Sequence, residues 1–190
     1  MFPEILRREL GAHGIVISDT QVDALYSHFK LLRRWNAVIN LTRIIDVEEA
    51  VVFHYCESMF LAANLPSAPL RILDLGSGAG FPGIPIAVYR SDCVVSLVES
   101  HKRKSTFLRE ATRSLENVEV LGQRAQDTIG MFDWVVMRAV NFAEVEGFLK
   151  NLAPNVAFLG GADIPTHGFT WNTIQSPWGK NRFLWLGRST

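Results

Sequence analysis

The run Arg71-Ile72-Leu73-Asp74-Leu75-Gly76-Ser77-Gly78-Ala79-Gly80-Phe81-Pro82-Gly83 leaves this chain few folds to choose from. Leu70, Ile72, Leu73 and Leu75 make the short apolar run of a strand buried in a parallel sheet. Residues 82–90 read as a helix that opens with Pro82 in its first turn, where a missing N–H costs nothing. Between the two, the glycines can take φ > 0 and let a ligand approach bare backbone, and free N–H groups at the helix start favour an anionic or electron-rich group. A dinucleotide fingerprint reads G-x-G-x-x-G with an acid about 20 residues later. Here the acid comes first, as Asp74-x-Gly76-x-Gly78-x-Gly80. The next strand, Val94-Val95-Ser96-Leu97-Val98, ends in Glu99, placed to accept both ribose hydroxyls of a nucleoside. The alternative reading of Glu99 is a cap on the helix that starts near Ser100.

The acid-first glycine pattern resembles the first motif of class I S-adenosylmethionine-dependent methyltransferases, in which the turn passes under the methionine part of the cofactor. The rest of the chain suits such an α/β fold. Strands are expected at 70–75, 93–98, 117–121, 132–137 and 155–159, and helices at 82–90, 101–115 and 142–152, an alternation that implies a parallel, doubly wound sheet. Two further strands, around Phe169–Ile174 and Arg182–Leu186, joined by a turn at Pro177 and Gly179, form an expected antiparallel pair that closes the sheet. The fold predicted is a Rossmann-like doubly wound sheet, mostly parallel with an antiparallel C-terminal strand, carrying an N-terminal helical extension.

That extension, residues 1–66, precedes the methyltransferase domain, 67–190, and the two are expected to form one compact unit. Ser18-x-x-Gln21 is a capping box for a helix whose Val22, Leu25, Phe29, Leu32 and Trp35 share one face. Asp46-x-x-Glu49 starts another through Val51, Val52, Tyr55, Met59 and Leu61. Between them, Asn40 and Thr42 can bond turn backbone. With 190 residues, 48% of them hydrophobic, the chain can bury a full core. Its net charge is zero, so nucleic acid binding must use local patches. Cys56 and Cys93 are the two cysteines, both in apolar segments, and read as reduced core residues of a cytoplasmic protein. No stretch approaches a membrane span, so no membrane partner is expected.

A narrower resemblance rests on Asn40-Leu41-Thr42, His54-x-x-Glu57-Ser58, Gly76-Ser77-Gly78-Ala79-Gly80-Phe81-Pro82-Gly83-Ile84-Pro85, Leu97-Val98-Glu99-Ser100 and Arg138-Ala139. From about Trp35 to Val140 the chain is similar to the bacterial 16S ribosomal RNA guanine-N7 methyltransferases, the glucose-inhibited division protein B family. The resemblance implies S-adenosyl-L-methionine as cofactor and the decoding-region loop of 16S rRNA, or the small ribosomal subunit, as partner. Cofactor contacts then fall on Asp74, Gly76, Ser77, Gly78, Gly80, Phe81, Glu99, Ala125, Gln126 and Arg138. Two positions depart from the family: Glu57-Ser58 replaces the usual Asp-Ser, and Gly160 stands where a lysine usually ends the fifth strand, which removes a cation from the substrate side.

Guanine N7 carries a lone pair and no hydrogen, so its methylation needs orientation and no base, worth roughly 7 to 11 kcal/mol. Neither a cysteine nucleophile nor an N/D-P-P-aromatic run follows the fourth strand. Arg138 ends that strand and is the candidate catalytic residue, able to bond the methionine carboxylate or guanine acceptors; the plainer reading pairs it with Glu144 or Glu146. Asn40, Arg43, Lys102, Arg103 and Arg124 are the candidate RNA contacts, and Arg33, Arg34 and the other cations of the 101–115 helix could add to them, or be a solvated face. His54 and Glu57, one turn apart, are too few for a metal site and read as a contact between the extension and the glycine loop. His13, His28 and His167 show no partners in sequence. A monomer is expected. The competing readings are a cofactor-binding paralogue with altered acceptor chemistry and a non-catalytic RNA- or ribosome-binding protein.

Overall fold

The computed structural model describes residues 1–163 and 168–190; His167 lies outside them. Strands β1 (Arg71–Leu75), β2 (Val94–Val98), β3 (Val118–Leu121), β4 (Trp134–Arg138), β5 (Asn155–Gly160), β6 (Phe169–Gln175) and β7 (Phe183–Ser189) form one sheet in the order β3-β2-β1-β4-β5-β7-β6. β1 to β5 run parallel and β7 runs antiparallel to both β5 and β6. The mostly parallel sheet with one antiparallel strand is the fold the sequence predicts. The last strand does not lie at the edge, however. β7 is inserted between β5 and β6 because Phe183, Leu184, Trp185 and Leu186 offer apolar surface to both faces, whereas β6 carries Thr170, Asn172, Thr173 and Gln175 and suits an edge.

Among the described residues seven α-helices surround the sheet: α1 (Phe2–Gly11), α2 (Asp19–Asn36), α3 (Val47–Ala50), α4 (Glu57–Ala63), α5 (Gly83–Tyr89), α6 (Lys102–Ala111) and α7 (Phe142–Leu152). The Ser18 box forms in full: the Gln21 N–H donates to Ser18 Oγ (3.2 Å) and the Ser18 N–H to Gln21 Oε1 (3.0 Å). The same Gln21 amide donates to the carbonyls of Val88 and Tyr89 at the end of α5, so the cap also moors the extension to the sheet layer. Asp46 caps α3 through the N–H groups of Glu48 and Glu49. Residues Val51–Cys56 then wind as a π-helix before α4 begins, a widening that apolar spacing does not signal. α6 stops at Ala111, short of the expected 115, and Pro82 is the residue before α5 rather than its first.

Adjacent residues of β1 feed opposite cores, as pleating requires. Ile72 faces a layer built from α1, α2, the π segment, α4, α5 and α6, in which Phe2, Leu6, Leu10, Leu25 and Tyr55 are all but inaccessible. Leu73 and Leu75 face α7, through Phe142, Val145, Leu149 and Leu152. Each such side chain contributes about 1.5–3 kcal/mol on burial. The helices of the extension share their core with Ile72, Val95, Leu97 and Val136 of the sheet. Cys56 and Cys93 are buried and unpaired. No helix among the described residues is long and apolar enough to cross a membrane.

Candidate functional site

The strand order reverses between β1 and β4, and the loops leaving the carboxyl ends of these two strands flank the crevice where open α/β sheets bind ligands. The loop after β1 is the glycine turn. Gly76, Gly78 and Gly80 all have positive φ (77°, 54° and 89°), the conformation their lack of Cβ permits. A Cβ at Gly76 would stand 3.0 Å from Val140 Cγ2, on the loop after β4, so the two loops meet at bare backbone.

Three of the expected cofactor contacts lie beneath this turn and do not face the crevice. Asp74 is wholly buried and its Oδ2 accepts the Gly83 N–H (2.9 Å), so the acceptor at the start of α5 is the protein's own and that N–H is not free for a ligand. Burial pushes its carboxyl up to about 7, with the Gly83 N–H opposing the rise. The buried Ser77 hydroxyl donates to the Asp74 carbonyl (3.0 Å). The Phe81 ring turns into the extension, stacked on His54 with centroids 4.4 Å apart and edge-on to Tyr55. These side chains shape the turn, because a turn made of glycine has to be held from outside itself.

A histidine that sequence left unassigned completes that support. His28 Nε2 donates to the Ala79 carbonyl (3.1 Å), and its Nδ1 accepts from the Tyr55 hydroxyl (2.8 Å). Burial pulls its pKa down to about 4, so the ring is neutral and carries the single proton that this pattern uses.

On the solvent side of the turn lies a cleft of ≈ 440 Å³, lined by Gly76, Glu99, Arg124, Ala125, Gln126 and Val140, among others. Glu99 serves two backbone groups at once: Oε2 accepts the Gly78 N–H (3.1 Å) and Oε1 the His101 N–H (2.7 Å). Glu99 thus lines the cleft and holds the backbone just before α6, whose N-cap residue is His101 and not Glu99's own neighbour Ser100. Ala125–Asp127 form a 3₁₀ turn that sets Ala125 and Gln126 on the wall. Bare glycine backbone, a carboxylate at the end of β2, and Val98, Val145 and Phe148 as apolar lining suit a nucleoside-bearing cofactor.

Arg138 ends β4 with its side chain mostly buried, and it pairs with neither Glu144 nor Glu146. Its Nη2 stands 3.8 Å from Glu57 Oε2, and its Nη1 is buried without a partner among the described residues. Glu57 is held more closely by Arg182, whose Nε and Nη2 donate to Oε1 and Oε2, the second at 2.6 Å. His54, one turn earlier, shares Thr42 Oγ1 through Nε2 (2.8 Å) and is lowered to about 3, first by burial and then by the charge of Arg138. Thr42 Oγ1 also accepts the Ile44 N–H, as expected of a turn residue. Asn40 is exposed, and Asn36 takes the organising role: its Oδ1 accepts the N–H groups of Leu41 and Thr42, and its Nδ2 donates to the Thr42 carbonyl.

The description "rRNA small subunit methyltransferase G" (GidB) matches residues 21–159. The chain belongs to the rRNA small subunit methyltransferase G family. Among relatives, it is 40% identical over 153 residues to the ribosomal RNA small subunit methyltransferase G of Leptothrix cholodnii, covering 77% of this chain and 69% of that one. It is 36% identical over 168 residues to the methyltransferase G 1 of Syntrophobacter fumaroxidans, covering 84% and 75%. The fold is also that of a magnesium protoporphyrin IX methyltransferase from Synechocystis solved with bound S-adenosylhomocysteine, with a TM-score of 0.60, 15% identity and full coverage of both chains. A SAM-dependent methyltransferase from Aquifex aeolicus gives a TM-score of 0.57 at 14% identity, covering 75% of this chain and 93% of that one.

In this chain the structure gathers Gly76, Glu99, Arg124, Ala125 and Gln126 at one cleft. Arg124, expected among the RNA contacts, is thus on the wall beside Gln126. Lys102 and Arg103 are exposed in the first turn of α6, directly after the Glu99 segment, and Arg43 is exposed beside Asn40 on the loop after α2. No local pattern in the sequence marks Arg182 or Ser176, which the fold brings to Glu57.

Proposed function

We propose that this chain transfers a methyl group from S-adenosyl-L-methionine to guanine N7 in the decoding-region loop of 16S rRNA, acting in the cytoplasm as a monomer. The observation that carries the reading is the cleft that brings the glycine turn, Glu99, Ala125 and Gln126 together at the switch point, in a chain of the methyltransferase G family. The cofactor supplies an electrophilic sulfonium methyl group. Gly76 would offer side-chain-free backbone to its amino-acid portion, Glu99 would accept from its ribose, and Ala125 and Gln126 would border its base. Arg138 brings a guanidinium to the same sheet edge, with one nitrogen unspent.

The acceptor nitrogen has no proton to lose, so the protein's task is orientation, which can lower the barrier by roughly 7 to 11 kcal/mol. Lys102 and Arg103 support an RNA substrate, since cations in the first turn of a helix oppose its dipole and cost a few tenths of a kcal/mol or more each. Their presence at the rim suits a phosphate partner. Gly160 removes the lysine usual in the family, and its missing Cβ is filled by the Phe158 ring, so orientation of the base falls to other groups.

The test is transfer of labelled methyl from S-adenosyl-L-methionine to small subunits that lack the modification, followed by nucleoside analysis. Label in 7-methylguanosine is expected. Saturable cofactor binding with no label in that nucleoside would overturn the substrate assignment.

A further inference from the structure

At the carboxyl end of β4, one carboxylate stands between two guanidinium groups drawn from distant parts of the chain. Glu57 opens α4 in the N-terminal extension, Arg138 ends β4, and Arg182 precedes β7 in the C-terminal hairpin. The Glu57 side chain is 2% exposed and Arg138's is 13% exposed, so their charges interact through little water. Arg182 grips both Glu57 oxygens, is seated over the Phe53 ring (4.7 Å), and is joined there by the Ser176 hydroxyl at 3.5 Å from Oε1. A two-toothed arginine–carboxylate pair is strong and geometrically specific.

Arg138 is left on the outside of that pair. At 3.8 Å its Nη2 feels the carboxylate without a hydrogen bond, and Nη1 has no partner among the described residues. Were Arg182 absent, Glu57 would be free to take Arg138 in the same two-toothed way and spend its donors. With Arg182 present, the carboxylate is occupied yet still anionic, so it steers Arg138 and leaves its fork unspent. A buried donor without a partner carries an unrelieved desolvation penalty, which an acceptor brought by a ligand would remove.

We infer that Glu57 is a positioning residue for Arg138, and that Arg182 sets its strength by holding the carboxylate away from full pairing. Glu57 thereby couples the helical extension and the C-terminal hairpin to the reacting edge of the sheet. The inference rests on the methyl-transfer reading above insofar as it gives Arg138 work to do there.

A double-mutant cycle decides it. Glu57→Gln, Arg138→Lys and the double variant are compared for kcat and KM of methyl transfer to small subunits, for S-adenosylhomocysteine affinity, and for Tm. Expected is a loss of about tenfold or more in kcat or in cofactor affinity for each single variant, with less than about a further twofold when Glu57→Gln is added to Arg138→Lys. Losses that multiply, or that follow Tm alone, would overturn the inference and leave Glu57 as a structural ion pair. So would an Arg138→Lys protein with wild-type kinetics and affinity. If Glu57→Gln does not melt cooperatively, Arg182→Lys replaces it in the same cycle, since it gives up the two-toothed grip and frees Glu57 to take up Arg138. A wild-type protein that binds cofactor but labels no 7-methylguanosine sinks the substrate reading separately, and the cycle is then decided on cofactor affinity.

Discussion

Glu99 shows how much one side chain can carry when both its oxygens have assigned work. Oε2 holds the Gly78 N–H of the glycine turn and Oε1 the His101 N–H before α6, so the cleft wall and the start of α6 share one anchor. A carboxylate has lone pairs to spare beyond these two bonds and can still receive ribose hydroxyls. Glu99→Gln keeps the shape but turns one oxygen into a donor that faces a backbone N–H. We expect S-adenosylhomocysteine affinity, read by titration calorimetry, to fall about tenfold or more, equal to about 1.4 kcal/mol or more. Tm should drop by only a few degrees, on the order of a loss of 1 kcal/mol. Unaltered affinity with a lowered Tm would leave Glu99 as a backbone anchor alone.

At the scale of elements, α2 was legible as a helix and illegible as a support. Its cap and its apolar stripe repeat at local spacing, which periodicity detects. The partners of His28, by contrast, are 27 and 51 positions away, and Arg182 meets Glu57 across 125, so nothing in the local pattern points to them. The π segment and the inner place of β7 escaped for a related reason, since both depend on what packs alongside. His28 also gives α2 a measurable pH signature. Its pKa falls from 6.5 to about 4 on folding, so the unfolded chain takes up a proton between these values while the native ring does not. About 3 kcal/mol of stability, complete above pH 6.5, is therefore lost as pH falls toward 4. His54 acts in the same direction toward about 3, and Asp74, raised to about 7, acts in the opposite one. Comparing the wild type with His28→Phe cancels Asp74 and leaves of His54 only its coupling to the His28 charge. The advantage of the wild type in urea unfolding should shrink by about 3 kcal/mol between pH 7 and pH 4; a constant difference would mean that His28 does not remain neutral in the fold.

For the molecule as a whole, a net charge of zero sets the terms on which it can meet RNA. No general field draws it to phosphate, so affinity has to come from a few cations at the rim of the cleft, and the same cations must account for most of the salt dependence. The exposed Lys102 and Arg103 are the best placed, one turn beyond Glu99 and opposed to the α6 dipole, and Arg124 adds a charge on the cleft wall. Each phosphate contact contributes about 0.7 to the slope of log affinity against log salt for single-stranded nucleic acid, so removing two should flatten that slope by about 1 to 2. The Lys102→Ala, Arg103→Ala double variant is expected to do this in filter binding to small subunits between about 50 and 200 mM salt. Its affinity for S-adenosylhomocysteine should stay that of the wild type, because neither side chain lines the cleft. A slope unchanged by the double variant would shift RNA docking away from α6, toward Arg33, Arg34 and Arg43 at the end of α2 and the loop beyond it.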